Sequence, residues 1–587
     1  MKTYYTNEKN VQIVISLLKE YAIKKVIVSP GTTNITFVAS IQQDPFFEMY
    51  SAADERSAAY IACGLAAESG EPVVLSCTGA TASRNYIPGL TEAFYRKLPI
   101  VAITACHRSV EVGQNIAQVL DRTQIQKDIA KCSVLVPIIF DNNDEWNCIL
   151  KVNKALTELK RHGGGPVHIN LESIFSKDYS VKFLPKVRKI TYINRDDDFP
   201  SISKGRIAVY CSSHQRWSDE DIDAVDRFCT TNNAVVLCDH TSNYKGKYRV
   251  LSSLIFSQAH QSELVNLDLL IHIGSISGDY YSSIRINAKE VWRVNEDGEI
   301  RDTFRKLTHV FEMPEKCFFL RYCDNNKISS SSAIYAYSEE YKRIKDNIPD
   351  MPFSNIYMAN MLAPLLPKNS VLHLGILNSL RSWNFFEIDK SILSYSNVGG
   401  FGIDGDMSSL IGASLANPDK LFYGVFGDLA FFYDMNSLGN HNIRNNVRIL
   451  LINNGRGTEF RNYSHDASRF GDDADLYIAA AGHYGNKSPQ LIKHYATDLG
   501  FEYISASTKE EFVSCYQRFV SDKMETRSII FECFTETEDE NRALWLINHI
   551  DDKDVSDYSR DIINTTKTIG KKVLGEKFIH EIKEKLI

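Results

Sequence analysis

The chain lacks the sequence features of membrane, secreted and nucleic-acid-binding proteins. No stretch approaches the roughly 20 apolar residues needed to cross a bilayer, and the N-terminal region has no signal-peptide core. The twelve cysteines form no CxxC pair and no zinc-ligand spacing; several stand inside apolar runs, which predicts buried thiols in a reducing compartment. A net charge of -7 without a basic tract argues against nucleic acid as the main partner. We therefore expect a cytoplasmic protein that binds neither membrane nor nucleic acid.

The length and the alternation of apolar and polar runs indicate several α/β domains. A chain of 587 residues exceeds one hydrophobic core, and 44% hydrophobic with 24% charged residues is ordinary for a globular protein. Polar stretches near 177–205 and 324–354 indicate linkers. The predicted fold class is α/β, with three doubly wound parallel-sheet domains. Their expected bounds are 1–180, 200–330 and 352–545, followed by a helical, surface-exposed tail at 550–587.

Individual elements follow from the same periodicity. Residues 7–23 and 55–70 are expected to be helices, and 82–97 is predicted as one further helix. Short apolar runs bounded by turn residues predict strands. These runs lie at 24–31, 47–52, 72–78 and 98–105 in the first third, and at 370–375, 420–428, 447–455 and 527–534 in the last.

Two strand ends in the last third carry residues that suit a divalent cation. One apolar strand ends at Gly427-Asp428, and the next ends at Asn453-Asn454, with one helix between them. Because the carboxyl ends of parallel strands share one sheet edge, Asp428 and Asn454 are expected to lie close together. A carboxylate and an amide oxygen are hard ligands that Mg²⁺ prefers. The alternative is that Asp428 only caps a helix and the asparagines form a turn.

A second group of polar residues is predicted at one edge of the first sheet. Glu55 stands between the strand 47–52 and a helix so rich in alanine and glycine that another element must pack closely on it. A carboxylate at a helix start is usually a cap, and that is the alternative reading of Glu55. The segments SPGTTN (29–34) and SCTGATASRNY (76–86) end neighbouring strands at the same predicted edge.

These motifs resemble those of thiamine-diphosphate-dependent decarboxylases and carboligases. The resemblance covers about residues 8–545 and is strongest to the menaquinone-pathway SEPHCHC synthase group, which joins a 2-oxoglutarate-derived unit to isochorismate. It rests on six motifs that occur in the family's order. They are SPG (29–31), DERSAA (54–59), CTGATA with Asn85 and Pro88 (77–88), GIDG (402–405), GDL (427–429) and NNxG with Phe460 (453–460).

The resemblance implies a pyrimidine-binding first domain, a central domain without cofactor and a diphosphate-binding third domain. It implies thiamine diphosphate with Mg²⁺, or Mn²⁺ or Ca²⁺ in its place. Glu55 matches the catalytic glutamate on the pyrimidine ring, and Ile403 matches the residue that props the cofactor into its bent form. The implied metal ligands are Asp428, Asn454 and the carbonyl of Arg456. Further implied cofactor-binding residues are Gly31, Thr78, Asn85, Ser379, Gly402, Gly427, Leu429 and Phe460.

The resemblance also implies how the chain assembles. In the family the pyrimidine and diphosphate halves of one site come from different subunits. We therefore expect a homodimer or a dimer of dimers, with Glu55 and Asp428 of one site on different chains.

The departures from the family bear on the substrate. Basic residues of the SEPHCHC synthase group are replaced here by Thr32-Thr33, by Ser277 to Tyr280 and by Val398. Burying unpaired substrate carboxylates at such positions would be costly. Remaining candidate substrate residues are Thr32, Thr33, His107, Arg108, Asn115, Gln118, Arg381 and Glu459. His107 could instead be a structural hydrogen bonder, and Glu459, which replaces an apolar residue, could face solvent.

This pocket composition suits a small monocarboxylic oxo acid such as pyruvate. We expect decarboxylation of that acid and transfer of the acyl carbanion to an acceptor carbonyl or alkene, such as a keto sugar or secondary metabolite. The alternatives are a simple non-oxidative decarboxylase, the SEPHCHC synthase reaction, and a non-catalytic cofactor-binding homologue. A nicotinamide-dependent oxidoreductase would need GxGxxG, which SPGTTN lacks. The central domain has no dinucleotide fingerprint, so no FAD is expected.

Overall fold

The computed structural model describes residues 4–122, 124–202, 205–323, 332–482 and 488–551. Its strands, in chain order, are β1 Lys25–Val28, β2 Glu48–Ser51, β3 Val73–Cys77, β4 Ile100–Cys106, β5 Cys132–Val136, β6 Val167–Glu172, β7 Thr191–Asn194, β8 Ile207–Cys211, β9 Val235–Cys238, β10 Arg249–Leu251, β11 Asn266–Ile273, β12 Asn287–Val294, β13 Leu307–Glu312, β14 Val371–Leu374, β15 Leu393–Tyr395, β16 Phe422–Gly427, β17 Val447–Asn453, β18 Glu502–Ala506 and β19 Ile529–Phe534.

Helices separate most of these strands. They are α1 Lys9–Glu20, α2 Ile35–Ile41, α3 Glu55–Ser69, α4 Ala80–Asn85, α5 Ile87–Tyr95, α6 Asn142–Glu158, α7 Asp219–Asn232, α8 Ser253–Phe256, α9 Tyr280–Ser283, α10 Glu315–Arg321, α11 Ser332–Asp346, α12 Asn355–Leu362, α13 Asn378–Trp383, α14 Asp406–Ala416, α15 Asp428–Asp434, α16 Leu491–Asp498, α17 Lys509–Phe519 and α18 Thr537–Asn548. No helix of the described ranges combines the length and apolarity needed to cross a membrane.

The described residues divide into two compact units. The first takes its residues from Met1–Phe199 and Asp297–Glu312, and the second from Pro200–Glu296 and Met313–Ile587. The first unit contains a six-stranded sheet of order β2-β1-β3-β4-β6-β5, in which every pairing is parallel. In the same unit β13 pairs with β7, also in parallel.

Both faces of the first sheet are covered. Alternate residues of β3 and β4 enter two different apolar clusters: Val74 and Val101 join one, and Leu75 and Ala102 join the other. Helices α1 and α6 contribute to the first cluster, and α3 and α5 to the second. Because side chains alternate across a strand, this arrangement needs strands that are apolar on both faces.

The second unit contains two more parallel arrays. One has the order β10-β9-β8-β11-β12, and the other has the order β15-β14-β16-β17-β19-β18. The predicted fold class, α/β with three doubly wound parallel sheets, is confirmed. The three domain bounds derived from the sequence remain a prediction.

The small residues of α3 do receive a close neighbour. A Cβ added to Gly89 would collide with the Ala59 side chain, so α5 can approach α3 only because Gly89 has none. The single helix predicted at 82–97 is wrong, because the structure has α4 and α5 meeting at Tyr86. Pro88 explains the break, since its missing N–H and its ring are tolerated only in the first turn of a helix.

Both predicted linkers contain regular structure. Strand β7 lies inside the polar stretch 177–205, where it pairs with β13 and so needs no long apolar run of its own. Helix α11 fills much of 324–354, although the residues 324–331 lie outside the described ranges. The predicted helical tail at 550–587 likewise lies outside them from residue 552 onward.

Candidate functional site

A cavity of about 160 Å³ lies at the carboxyl edge of the last sheet, within the second unit. It is lined by nine of the residues that the sequence had singled out. They are Ser379, Ile403, Gly427, Asp428, Leu429, Asn454, Arg456, Glu459 and Phe460. Gly402 directly precedes Ile403 in the chain. The structure therefore brings together residues spread over some eighty positions of sequence.

The register of two neighbouring strands explains why Asp428 and Asn454 converge. Strands β16 and β17 are adjacent and parallel, with Gly427 opposite Ile452. Asp428 then begins α15, and the Gly455 N–H donates to its carboxylate. Asp428 is only 4% exposed, and burial raises its pKa to about 7. A cation beside it would favour the charged form, because an opposite charge lowers the pKa of a carboxyl.

The two asparagines at the end of β17 have different environments. Asn453 Nδ2 donates to Glu532 at 2.6 Å, which ties this side chain into the protein. Asn454 Oδ1 is buried and has no hydrogen-bond partner. A buried amide oxygen without a partner costs free energy unless a ligand completes its coordination. This observation fits a metal ligand at Asn454 rather than a turn made by both residues.

Arg456 can contribute its main chain but not its guanidinium. Its Nη1 donates to Asp475 at 2.7 Å, while its carbonyl accepts from Thr458 N at 2.9 Å and retains a second lone pair. Together with Asp428 and Asn454 this makes one carboxylate, one amide oxygen and one carbonyl, a set suited to Mg²⁺. Within the described ranges, no group of three or more His, Cys, Asp or Glu side chains could hold a metal ion.

The apolar part of the cavity is shaped by a glycine and two of the predicted residues. A Cβ on Gly457 would lie 3.0 Å from the Phe460 ring and 3.3 Å from Leu429, so this glycine lets both side chains close on the cavity. Ile403 lines it and is half-buried. Ser379 lines it with its hydroxyl 3.4 Å from Asn355 Nδ2.

Glu540, Asp406 and Leu377 are among the lining residues that were not anticipated from the sequence. Glu540 accepts hydrogen bonds from Asn355 N at 3.0 and 3.2 Å, and burial raises its pKa to about 7. Asp406, the residue after GIDG, is buried with Oδ2 unpartnered. Leu377 adopts a left-handed backbone with φ of 66° just before α13. Only Asp406 had a sequence signal, its adjacency to a recognised motif.

Glu459 does not face solvent. It is 7% exposed, and both of its carboxylate oxygens lie near Arg381 Nη2, at 2.8 and 2.9 Å. Asn462 Nδ2 donates to it at 2.9 Å, and the Tyr281 hydroxyl donates to it as well. Burial alone would raise the pKa of Glu459, but Arg381 and these donors hold it below the ordinary glutamate value. The solvent-facing alternative is therefore wrong.

In the first unit, the helix-cap role belongs to Asp54 and not to Glu55. The Asp54 carboxylate accepts from Ser57 N at 3.0 Å, as expected of an N-cap, and Glu55 is the first helical residue. Glu55 is half-buried and accepts from Asn85 Nδ2 at 3.2 Å. The predicted catalytic residue and a predicted cofactor-binding residue are thus in direct contact. Asp54 makes the N-cap hydrogen bond, and Glu55 in the first turn still has the position of a carboxylate that interacts with the helix dipole.

The SPG and CTG segments also meet. A Cβ on Gly31 would overlap the Thr78 side chain, so glycine is required where these two strand ends approach. Thr33 is buried and its Oγ1 accepts from Gly79 N at 3.3 Å, whereas Thr32 is exposed. Of the two threonines, only Thr32 has a side chain open to a substrate.

The remaining substrate candidates lie on the loop after β4. His107 Nδ1 is 3.1 Å from Glu111 Oε2, and its ring packs edge-on against Phe175. The Arg108 guanidinium lies over the Phe140 ring at 5.4 Å. Asn115 and Gln118 are both exposed and have φ of 57° and 67°. His107 therefore already has a protein partner, as its structural alternative requires.

Comparison with known proteins bears on the same two regions. Residues 9–125 match the family model "Thiamine pyrophosphate enzyme, N-terminal TPP binding domain". This range contains Glu55, Asn85, Gly31 and Thr78.

Several curated relatives match most of the chain, and they share one name, 2-succinyl-5-enolpyruvyl-6-hydroxy-3-cyclohexene-1-carboxylate synthase, abbreviated SEPHCHC synthase. The protein of Bacteroides thetaiotaomicron is 29% identical over 580 residues, covering 92% of this chain and 98% of the relative. That of Phocaeicola vulgatus is 29% identical over 569 residues, with the same coverage of 92% and 98%. That of Flavobacterium johnsoniae is 29% identical over 476 residues, covering 77% of this chain and 84% of the relative.

Proposed function

Because the chain is a thiamine-diphosphate-dependent enzyme similar to the SEPHCHC synthases, we propose that it decarboxylates a 2-oxo acid and transfers the acyl carbanion to an acceptor. The acceptor group is a carbonyl or an alkene. The observation that carries the proposal is the cavity in which Asp428 and the unpartnered Asn454 Oδ1 lie beside Ile403.

The chain's own residues have distinct tasks in this reaction. When bound, thiamine diphosphate supplies an electron sink for the carbanion that decarboxylation leaves. Asp428, Asn454 and the Arg456 carbonyl would hold a divalent cation on its diphosphate. Glu55, whose carboxylate is positioned by Asn85, would hold or share a proton at the aminopyrimidine ring. The apolar wall of Leu429 and Phe460 would exclude water from the reacting carbon.

The proposed donor is a monocarboxylic oxo acid such as pyruvate. Basic positions of the SEPHCHC synthase group are replaced in this chain, and Arg381 is already paired with Glu459, which lines the cavity. Arg456, which lines the cavity, is paired as well, with Asp475, so both arginines already have an acidic partner in the protein. A hydroxyl-rich or neutral acceptor, such as a keto sugar, fits the same loss of positive charge.

The SEPHCHC synthase reaction is the second candidate. It is favoured by the name shared by relatives that match 92% of this chain at 29% identity. A simple decarboxylase would differ from both in releasing an aldehyde without needing an acceptor.

Two measurements test the proposal. Calorimetric titration with thiamine diphosphate should show saturable binding that depends on Mg²⁺, and no binding would contradict the cofactor assignment. Binding without turnover of any oxo acid would leave the non-catalytic cofactor-binding homologue. Product analysis then separates the reactions, using pyruvate alone, pyruvate with keto-sugar acceptors, and 2-oxoglutarate with isochorismate. A ligated product from pyruvate is expected. Aldehyde alone would indicate a decarboxylase, and product only from 2-oxoglutarate with isochorismate would establish the second candidate.

We also propose that the active form is at least a homodimer, since the family assembles its site between subunits. Light scattering of the holoprotein is expected to give twice or four times the 66.5 kDa of one chain. A fully active monomer would contradict this assembly.

A further inference from the structure

Glu459, which lines the candidate cofactor cavity, forms a buried ion pair with Arg381. The two residues are 7% and 8% exposed, and 78 residues separate them in the chain. Glu459 lines the cavity together with Asp428 and Asn454. Within the described ranges, Glu459 is the only carboxylate in an ion pair with Arg381. A substrate bound in this cavity would therefore meet the Glu459 member of the pair.

Neighbouring side chains hold both members in place. Asn378 Oδ1 accepts from Arg381 Nη1 at 3.1 Å and from Asn462 Nδ2 at 3.1 Å, so one amide links the arginine to a residue that also donates to Glu459. The Arg381 guanidinium carbon lies 3.7 Å from the centre of the Tyr281 ring, and the Tyr281 hydroxyl donates to Glu459. A guanidinium stacked on an aromatic ring and bonded at two nitrogens has little freedom to turn towards another anion.

We propose that Glu459 is a specificity-determining residue: its carboxylate occupies Arg381 as the distal carboxylate of a substrate would, and so restricts the donor to monocarboxylic oxo acids. The inference rests on the proposed function only in taking a 2-oxo acid as the donor.

The argument is electrostatic. An arginine fork recognises carboxylates through charge-assisted hydrogen bonds, and here an internal carboxylate already fills that role. A dicarboxylic donor would bring its second negative charge to an ion pair that has no net charge and whose acidic member lines the cavity. Taking that charge out of water without a partner is unfavourable. A donor without a distal charge has no such cost. The ion pair therefore disfavours the dicarboxylic acid, because the second carboxylate of that acid finds no cationic partner.

Replacing Glu459 by glutamine should therefore free the positive charge of Arg381. Glutamine keeps a similar length and an amide oxygen that can accept from Tyr281 or Asn462, but it cannot neutralise the guanidinium. Glu459→Gln is expected to bind 2-oxoglutarate at least about tenfold more tightly than the wild-type chain does, while its affinity for pyruvate changes less than about threefold. Where turnover is measured, the gain should fall in KM for 2-oxoglutarate.

The measurement is calorimetric titration of the holoprotein, loaded with thiamine diphosphate and Mg²⁺, using 2-oxoglutarate and pyruvate separately. The double variant Glu459→Gln/Arg381→Gln should lose the gain, because it removes the freed cation. Glu510→Gln is the matched control, since Glu510 is an exposed glutamate in the same unit. Tyr281→Phe removes one hydrogen-bond donor to Glu459 but keeps the ion pair. The ratio of the affinities for 2-oxoglutarate and pyruvate is expected to rise by about two- to threefold.

The inference is overturned if Glu459→Gln leaves the ratio of the two affinities unchanged, or if the double variant keeps the gain. Circular dichroism checks that each variant folds. If Glu459→Gln does not fold, the test uses the ratio of the two affinities measured for Tyr281→Phe. A ratio equal to that of the wild-type chain then overturns the inference. If the proposed function is wrong, the result differs: no oxo acid is turned over. The ratio of the affinities for 2-oxoglutarate and pyruvate can still be measured in that case.

Discussion

The two halves of the candidate site are built in opposite ways. In the second unit Asp428 is 4% exposed and stands in a cavity lined by residues of that unit alone. In the first unit Glu55 is half-buried, and its described partner Asn85 is exposed. The key carboxylate is buried in one half and partly exposed in the other. The carboxyl edge of one parallel sheet thus forms a cavity with residues of its own unit. The corresponding edge of the other sheet leaves its functional side chain accessible to a partner surface.

Local structure accounts for the difference. After β16 the chain turns directly into α15, and the neighbouring strand end brings Gly455 onto Asp428, which buries the carboxylate. After β2 the cap role is taken by Asp54, so Glu55 starts its helix with a carboxylate that is not committed to the backbone. A partly exposed Glu55 agrees with the proposed assembly of the site from two subunits.

The largest expected effect comes from substituting the buried carboxylate Asp428. Asp428→Ala removes the only carboxylate of the proposed metal ligand set, and cofactor affinity should fall by at least about 100-fold. Calorimetric titration with thiamine diphosphate and Mg²⁺ measures it. Asp498→Asn, at an exposed aspartate of the same unit, should bind like the wild-type chain. Undiminished binding by Asp428→Ala would remove Asp428 from the ligand set.

Substituting Glu55, in the more exposed half, should lower turnover without a comparable loss of cofactor binding. Glu55→Gln keeps the side-chain length and the contact with Asn85 but cannot exchange a proton. Turnover should fall by about 10²- to 10⁴-fold, while cofactor affinity changes little, because the diphosphate is held by the other half. Glu68→Gln is the control, since Glu68 is exposed on the same helix. Wild-type turnover in Glu55→Gln would contradict the proposed role.

The smallest effect concerns the stability of the first unit in acid. Burial, with Arg122 nearby, lowers the pKa of His168 to about 3, and its ring nitrogens lie 2.7 and 2.8 Å from the hydroxyls of Thr104 and Ser133. The unfolded chain takes up a proton near the ordinary histidine pKa of about 6.5, whereas the folded chain does not. His168 therefore costs no stability above about pH 6.5, and stability falls as the pH drops below that value.

His168→Gln removes this titration while keeping a group able to bond either hydroxyl. Between about pH 6 and 4, its free energy of unfolding should fall less steeply than that of the wild-type chain, by about 1.4 kcal/mol per pH unit. Denaturant unfolding across this range provides the measurement. His441→Gln, at an exposed histidine of the other unit, should keep the wild-type slope. Equal slopes for His168→Gln and wild type would contradict the assignment.

Much of the fold and part of the site could be predicted because their causes are local. Apolar runs bounded by turn residues located the strands, and the ends of β16 and β17 located Asp428 and Asn454. Strand β7 could not be found in this way, because it is stabilised by pairing with β13, more than a hundred residues later. Helix α11 was hidden for another reason: its polar composition resembles that of a linker.

The sequence alone determined the fold class and the residues at the strand ends, because these follow from periodicity. The cofactor class came from the resemblance of short motifs to those of a known family. Only the tertiary structure decided how those residues are used. It assigned the cap to Asp54, left Asn454 Oδ1 without a partner and joined Glu459 to Arg381 across 78 positions. The physical reason is that burial and charge pairing depend on which side chains meet in space, and no local pattern encodes that meeting.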